Sequence, residues 1–381
     1  MNPGILAKGV AAFVLFSAFA VPAWAEPYIA IREGMKCSQC HANQTGGGKR
    51  TPYGAAFGIT SLPMVRSAPW EKEGGEKRYE GLRNFLSGQI TEYFTFGADV
   101  RASNETLLVP AGPSSPRERR NQFSVDEANL YLEFDPLPEQ LILYLDTQFA
   151  PGNAKAREVF ALWKDLPLQG YAKAGRFFPP YGLRLFDDSA FIRRQTGFSF
   201  QSSDAGVEVG IEPGPFSMVV ALTNGTNSDS DDNADKRVSG VASWSERWGR
   251  LGGSAAWNDA STGSRASLGG FLGGTFSRLT VFAEADWIRD ELSASPLRHR
   301  LALLGEIDVL ISQGFNFKTV YEYFDPDLDF SEDQQIRWTF LLESFLIQSL
   351  QARLGGRIAD APPQLPAERA EEIFVEIHVF L

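Results

Sequence analysis

Glu371-Glu372-Ile373-Phe374-Val375-Glu376-Ile377-His378-Val379-Phe380-Leu381 ends the sequence, with Ile373, Val375, Ile377, Val379 and Leu381 on one face of a two-residue repeat. Such alternation marks a β-strand with one apolar side. The same period recurs from Gln89 onward, interrupted by polar or Gly/Pro breaks. Phe94, Phe96, Ala98 and Val100 oppose Thr95, Asp99 and Arg101, and Leu279, Val281, Ala283 and Trp287 oppose Glu284 and Asp286. Leu141, Leu143 and Leu145, Val207 and Val209, Leu301 and Leu303, and Trp338, Phe340 and Leu342 form further apolar faces. The faces opposite them are often charged, a polar-in, apolar-out arrangement.

A soluble β-sandwich also alternates, but it predicts similar connections at both ends of its strands. Here long breaks (Ser103 to Asn121, Pro179 to Ser203, Gly225 to Lys236, Asp325 to Gln335, Asp360 to Ala370) take turns with short ones near Pro136, Leu168, Pro213, Trp248, Ser277 and Gln313. The expected fold is therefore an all-β transmembrane barrel of about 16 antiparallel strands over residues 89–381. An even strand number returns the C-terminal end to the side on which the first strand starts, so both ends are expected in the periplasm. After the first 25 residues no uninterrupted apolar run reaches the ~20 residues of a spanning helix.

Lys8 precedes an apolar stretch from Val10 to Val21, and Ala23-Trp24-Ala25 has the small-x-small form of an export-signal cleavage site. Cleavage after Ala25 makes 1–25 a signal peptide and delivers the rest to an oxidising compartment. There the two cysteines of the chain stand in Cys37-Ser38-Gln39-Cys40-His41, the C-x-x-C-H attachment motif of c-type haem. On one helical turn, thiols at i and i+3 face the same way and can bond two vinyl groups, while His41 offers its imidazole to the iron. A disulfide, a thioredoxin-type pair and half a zinc site are the alternatives. Zinc would need ligands that only the distant His299 and His378 could add, and thioredoxin chemistry wants a βαβ frame that is absent. Residues 26–64 are read as the haem-binding segment, too short for a core of its own, with 65–88 as a linker.

The formal net charge of −11, from 36 basic against 47 acidic residues, argues against a nucleic-acid partner. Asp229, Asp231, Asp232 and Asp235 crowd one long break, and Asp325, Asp327, Asp329, Glu332 and Asp333 another. Hard oxygen ligands of this kind suit ferrous iron or calcium, although solvated loop charge is the commoner cause.

Exported C-x-x-C-H ahead of a porin-like barrel resembles the fused outer-membrane monohaem cytochrome-porins of iron-oxidising bacteria, through Pro27, Ala30, Arg32, Gly34, Cys37, Cys40, His41, Tyr53-Gly54 and Phe57. The resemblance implies one haem c and electron passage between an extracellular donor, with ferrous iron a candidate, and a periplasmic carrier. Outer-membrane lipid and lipopolysaccharide are the implied surroundings. Electron tunnelling falls steeply with distance, so the haem segment is expected inside the barrel. Separately, Ala174 to Leu183 resembles a segment of anion-selective porins in which a strand enters a pore-lining loop. This gives the alternative of a passive porin with a haem plug or sensor, where Arg176, Arg184, Arg193 and Arg194 line the pore loop. Their plainer reading is pairing with Asp187, Asp188 or lipopolysaccharide phosphates. A haem peroxidase would need distal acid/base groups that the motif segment lacks. For the sixth iron ligand the candidates are Met64, able to fold back across the haem, and His378, which parity points into the lumen; Met35 lies too close to Cys37 to be favoured.

Overall fold

Alternating strands meet and close into a ring in the computed structural model, which describes residues 26–65, 88–110, 117–138, 140–228, 231, 233–260, 263–293, 295–363, 365 and 369–381. The strands are β1 Phe94–Pro110, β2 Arg117–Leu137, β3 Leu141–Ala150, β4 Lys155–Leu166, β5 Gly170–Phe177, β6 Asp204–Ile211, β7 Phe216–Thr223 and β8 Arg237–Glu246. They continue as β9 Gly249–Ala260, β10 Gly263–Phe276, β11 Leu279–Leu292, β12 Arg298–Ser312, β13 Phe315–Asp325, β14 Gln335–Ile347, β15 Leu350–Asp360 and β16 Glu371–Phe380. Each pairs antiparallel with its neighbours in sequence, and β1 pairs with β16 from Asp99↔Phe380 to Leu108↔Glu371. The closed 16-strand barrel expected from the alternation is observed. The signal segment with Ala25 and nearly all of the 65–88 linker lie outside the described residues.

Outward side chains such as Val209, Leu272 and Ile373 are more than half exposed, whereas inward Asp146, Glu158, Glu208 and Glu343 are fully buried. Outward apolar side chains repeated on strand after strand are costly in water and at home in hydrocarbon, so the barrel is a membrane-spanning one. All the short breaks fall at one end of the barrel, joined there by a tight turn at 348–349 between β14 and β15.

Two departures from the sequence reading have a physical cause. The break expected over Ser103 to Asn121 is mostly strand, since β1 continues to Pro110 and β2 starts at Arg117. Pairing jumps from Arg101↔Glu127 to Ala102↔Val125, and this one-residue bulge at Asp126 flips the parity of β2 above it. Beyond the lipid no face has to be apolar, so the period fades. At the same end, β9 and β10 are joined across only residues 261–262.

Two pieces of chain enter the lumen. The stretch 178–203 between β5 and β6 folds inward and carries a single helical turn at Phe191–Arg194. The N-terminal segment enters from the short-turn end as α1 Pro27–Glu33, α2 Cys37–Cys40 and α3 Pro52–Thr60. Tyr28, Ile29 and Ile31 of α1 join Leu183, Leu185 and Phe191 of the inward stretch and Phe271, Phe282 and Phe345 of the wall in one apolar cluster. The barrel makes room for them because the inward faces of β8 and β9 are small, through Ser239, Ser243, Gly252, Ser254 and Ala256.

Candidate functional site

The motif segment is seated by contacts that tolerate little change. α1 ends at Gly34, whose φ of +66° is left-handed, and a Cβ there would lie 2.8 Å from the Cα of Arg247 in the β8–β9 turn. Tyr28 donates to Glu343, and Glu26 is bonded to both Lys318 and Arg353 on the far wall. α2 is a single turn, so Cys37 and Cys40 face the same side. α3 is capped by Thr51, which accepts from the Gly54 N–H, and any side chain at Gly54 would strike the Cys40 carbonyl. The loop Gly46-Gly47-Gly48 is left-handed throughout and runs against Phe200 and Tyr144, close approaches that only glycine permits.

Between this segment and the wall lies a cavity. Cys37, Cys40 and His41 line it from one side, Val219 and Val241 from the barrel, and Leu183 and Arg184 from the inward stretch. Both cysteines are free thiols. Burial, with Cys37 adding to it, pushes the Cys40 thiol up to about 11. Cys37 Sγ accepts from Arg250 Nη1 at 3.4 Å. His41 is buried, and burial together with nearby Arg50 lowers its imidazole to about 3, so the ring is neutral and able to ligate a metal. Its Nδ1 is buried without a hydrogen-bond partner. Two adjacent thiols, a neutral imidazole with an orphaned nitrogen and an apolar-walled space fit a covalently attached tetrapyrrole iron.

The other sequence candidates are dispersed. Met64 sits outside the cavity at the short-turn rim, its N–H donating to Phe345 O at 2.7 Å. His378 points inward as parity requires and is buried, with Nδ1 3.2 Å from Gln351 Oε1 and its ring near Phe186 and Phe380; it does not line the cavity either. Met35, set aside on sequence distance, does line it, with Sδ 4.0 Å from Cys40 Sγ. Of the four arginines, Arg184 faces the cavity. Arg176 donates to Ser203 Oγ at 2.9 Å, and Arg194 is exposed. Arg193 is fully buried in an ion pair with Glu284 at 2.5 Å, not with Asp187 or Asp188. Asp187 instead bonds Arg337 and Arg357, and Asp188 accepts from Phe200 N–H. Among the described residues no three or more His, Cys, Asp or Glu converge as for a metal ion. Asp325 and Asp327 accept from the N–H groups of Asp327 and Asp329, bonds that shape their own loop.

Arg193→Leu removes one partner of a pair with no access to water. It is expected to cost about 3–5 kcal/mol, because Glu284 is left charged and buried. The loss should appear as a lower temperature at which the folded barrel band converts to the unfolded one on gels.

The fold and its outward apolar faces define a porin-type β-barrel. No protein-family model and no curated protein sequence matches the chain. Solved structures do. OprB of Pseudomonas putida superposes with a TM-score of 0.59 at 11% identity, over 84% of this chain and 99% of that one. OmpT of Vibrio cholerae gives 0.58 at 9% identity, over 76% and 100%. An anion-selective porin from Comamonas acidovorans gives 0.57 at 10%, over 76% and 99%. At such identities the likeness is one of fold.

Proposed function

We propose that this chain is an outer-membrane electron-transfer protein carrying one haem c in its lumen, between an extracellular donor and a periplasmic carrier. The observation that carries the reading is that Cys37, Cys40 and His41 line a single cavity enclosed by the barrel. Cys37 and Cys40 would each add S–H across one vinyl group, a step that needs no oxidant, and His41 would supply the proximal nitrogen. The bound haem supplies one reversible electron at its iron. Val219, Val241 and Leu183 line that space, and the lumenal position would shorten the steps to either side of the membrane. The short-turn end, where the segment enters, is the periplasmic one by analogy with bacterial outer-membrane barrels. Ferrous iron is the candidate donor, on the resemblance to cytochrome-porins alone.

The passive porin is the second reading, favoured by the fold it shares with an anion-selective porin. Against it stand the two chain segments packed into the lumen and the ion pair of Arg193. Purified barrel in liposomes, supplied with ferrous iron outside and oxidised cytochrome c inside, discriminates the two. Reduction inside without bulk conductance is expected; a folded barrel with no covalent haem and a large ohmic current sinks the electron-transfer reading. In the same preparation Met35→Ala is expected to change the iron's ligand-field spectrum, since Met35 is the thioether lining the cavity. Met64→Ala and His378→Ala should not. A spectrum altered only by His378→Ala would reverse this assignment.

A further inference from the structure

Inside this barrel buried cations are matched to carboxylates. Arg157 meets Asp146 at 2.8 Å and Glu127 at 2.7 Å, Lys173 meets Glu208 at 2.7 Å, and Arg237 meets Asp204 at 2.8 Å. Arg184 and Arg250, which line the cavity beside the C-x-x-C-H turn, are held by other partners. Arg184 donates to neutral oxygens, Thr45 Oγ1 at 3.1 Å and the carbonyls of Phe178 and Pro179 at 3.3 Å. Arg250 donates to Ser243 Oγ at 3.2 Å and Cys37 Sγ at 3.4 Å, and its Nε is buried with no partner. Neither makes an ion pair with a carboxylate among the described residues. They approach the cavity from separate elements, Arg184 from the inward stretch and Arg250 from β9. Desolvating a guanidinium without an anion is unfavourable, so a site that holds two of them is built for a ligand that brings two negative charges.

We propose that Arg184 and Arg250 are the anchors for the two carboxylate side arms of the haem, fixing its orientation in the cavity and holding its reduction potential up. This rests on the haem reading above. A guanidinium offers the fork of donors that a carboxylate accepts, and it offsets an anion that would otherwise favour the oxidised iron.

The test uses the full haem-loaded barrel in detergent, with Arg184→Gln, Arg250→Gln, the double variant and the two lysine forms. Covalent haem per folded barrel, the midpoint potential and the resonance Raman band of the carboxylate side arms are measured. Each glutamine form should shift the potential downward and move the carboxylate band, the double variant should shift further, and lysine should restore most of the potential. Unchanged potential and band in the double variant overturn the proposal while leaving the haem reading intact. A fall in haem content supports the anchors where lysine regains it and overturns them where lysine does not. A wild-type barrel with no covalent haem would overturn both readings, and its signature is separate because it needs no variant.

Discussion

Cys37→Ser with Cys40→Ser is expected to abolish covalently held haem altogether while leaving the barrel folded. The two sulfurs are the only cysteine sulfurs in the sequence, so no other residue can form a thioether. Neither is in a disulfide, and both are only partly buried, which removes two common reasons for a cysteine change to unfold a protein. The ladder that holds the ring together is made of backbone bonds remote from α2, so stability should change by about 0.5 kcal/mol or less. Denaturing gels stained for haem, with the folded fraction read in parallel, decide the matter. Haem that survives denaturation in the double variant would show that the motif is not the attachment point.

Unseating the plug is the second large effect. Gly34 takes a left-handed conformation and faces the Arg247 backbone with no room for a Cβ. Gly34→Val therefore adds a strained φ, worth about 1–3 kcal/mol, to a steric conflict. Ile31, 2% exposed and packed in the lumenal cluster, makes the control: Ile31→Ala should cost about 2–5 kcal/mol through a cavity without touching the turn. If that energy is lost from the seated state alone, about 3 kcal/mol shifts the seated-to-open ratio by roughly two orders of magnitude. Single-channel recording should show rare openings in the native protein and frequent ones in both variants. Equal, continuous conductance in all three would mean that the segment does not obstruct the lumen.

Much of the barrel was legible because lipid imposes its own demand on one face of each strand. Trp338, Phe340 and Leu342 had to be apolar, and Glu284 with Asp286 had to turn inward, so the count of strands followed from alternation. Where lipid ends, as above the bulge at Asp126, legibility ended too. The cavity was half readable. C-x-x-C-H points to haem on sequence alone, and where the motif sits depends on pairs such as Tyr28 with Glu343, hundreds of residues apart. Met35 lines the cavity although it stands only two residues before Cys37, because the left-handed Gly34 turns the chain so that the Met35 N–H returns to Ala30 O at 2.8 Å. The signal for Arg250 in the sequence is an arginine heading an inward face that continues through Gly252, Ser254, Ala256 and Asn258. Arg184 stands in the loop that resembles the pore-lining segment of anion-selective porins, and its place at the cavity could not be read from that resemblance.

The seam between β1 and β16 joins the first strand of the chain to the last, down to the backbone bond from Leu381 N to Ala98 O at 2.8 Å. Ring closure therefore waits for the final residues, while Cys37 and Cys40 leave the export channel ahead of every strand. On the proposed reading this gives maturation a direction in time. The enzyme that joins haem to the thiols works on an extended, accessible segment, and the wall then assembles around the product. A chain whose seam zips early encloses bare thiols behind Tyr28 and the β8–β9 turn, where no ligase can follow. The haem-free barrel is then a dead end of assembly, and cells short of haem should accumulate it or degrade the open chain.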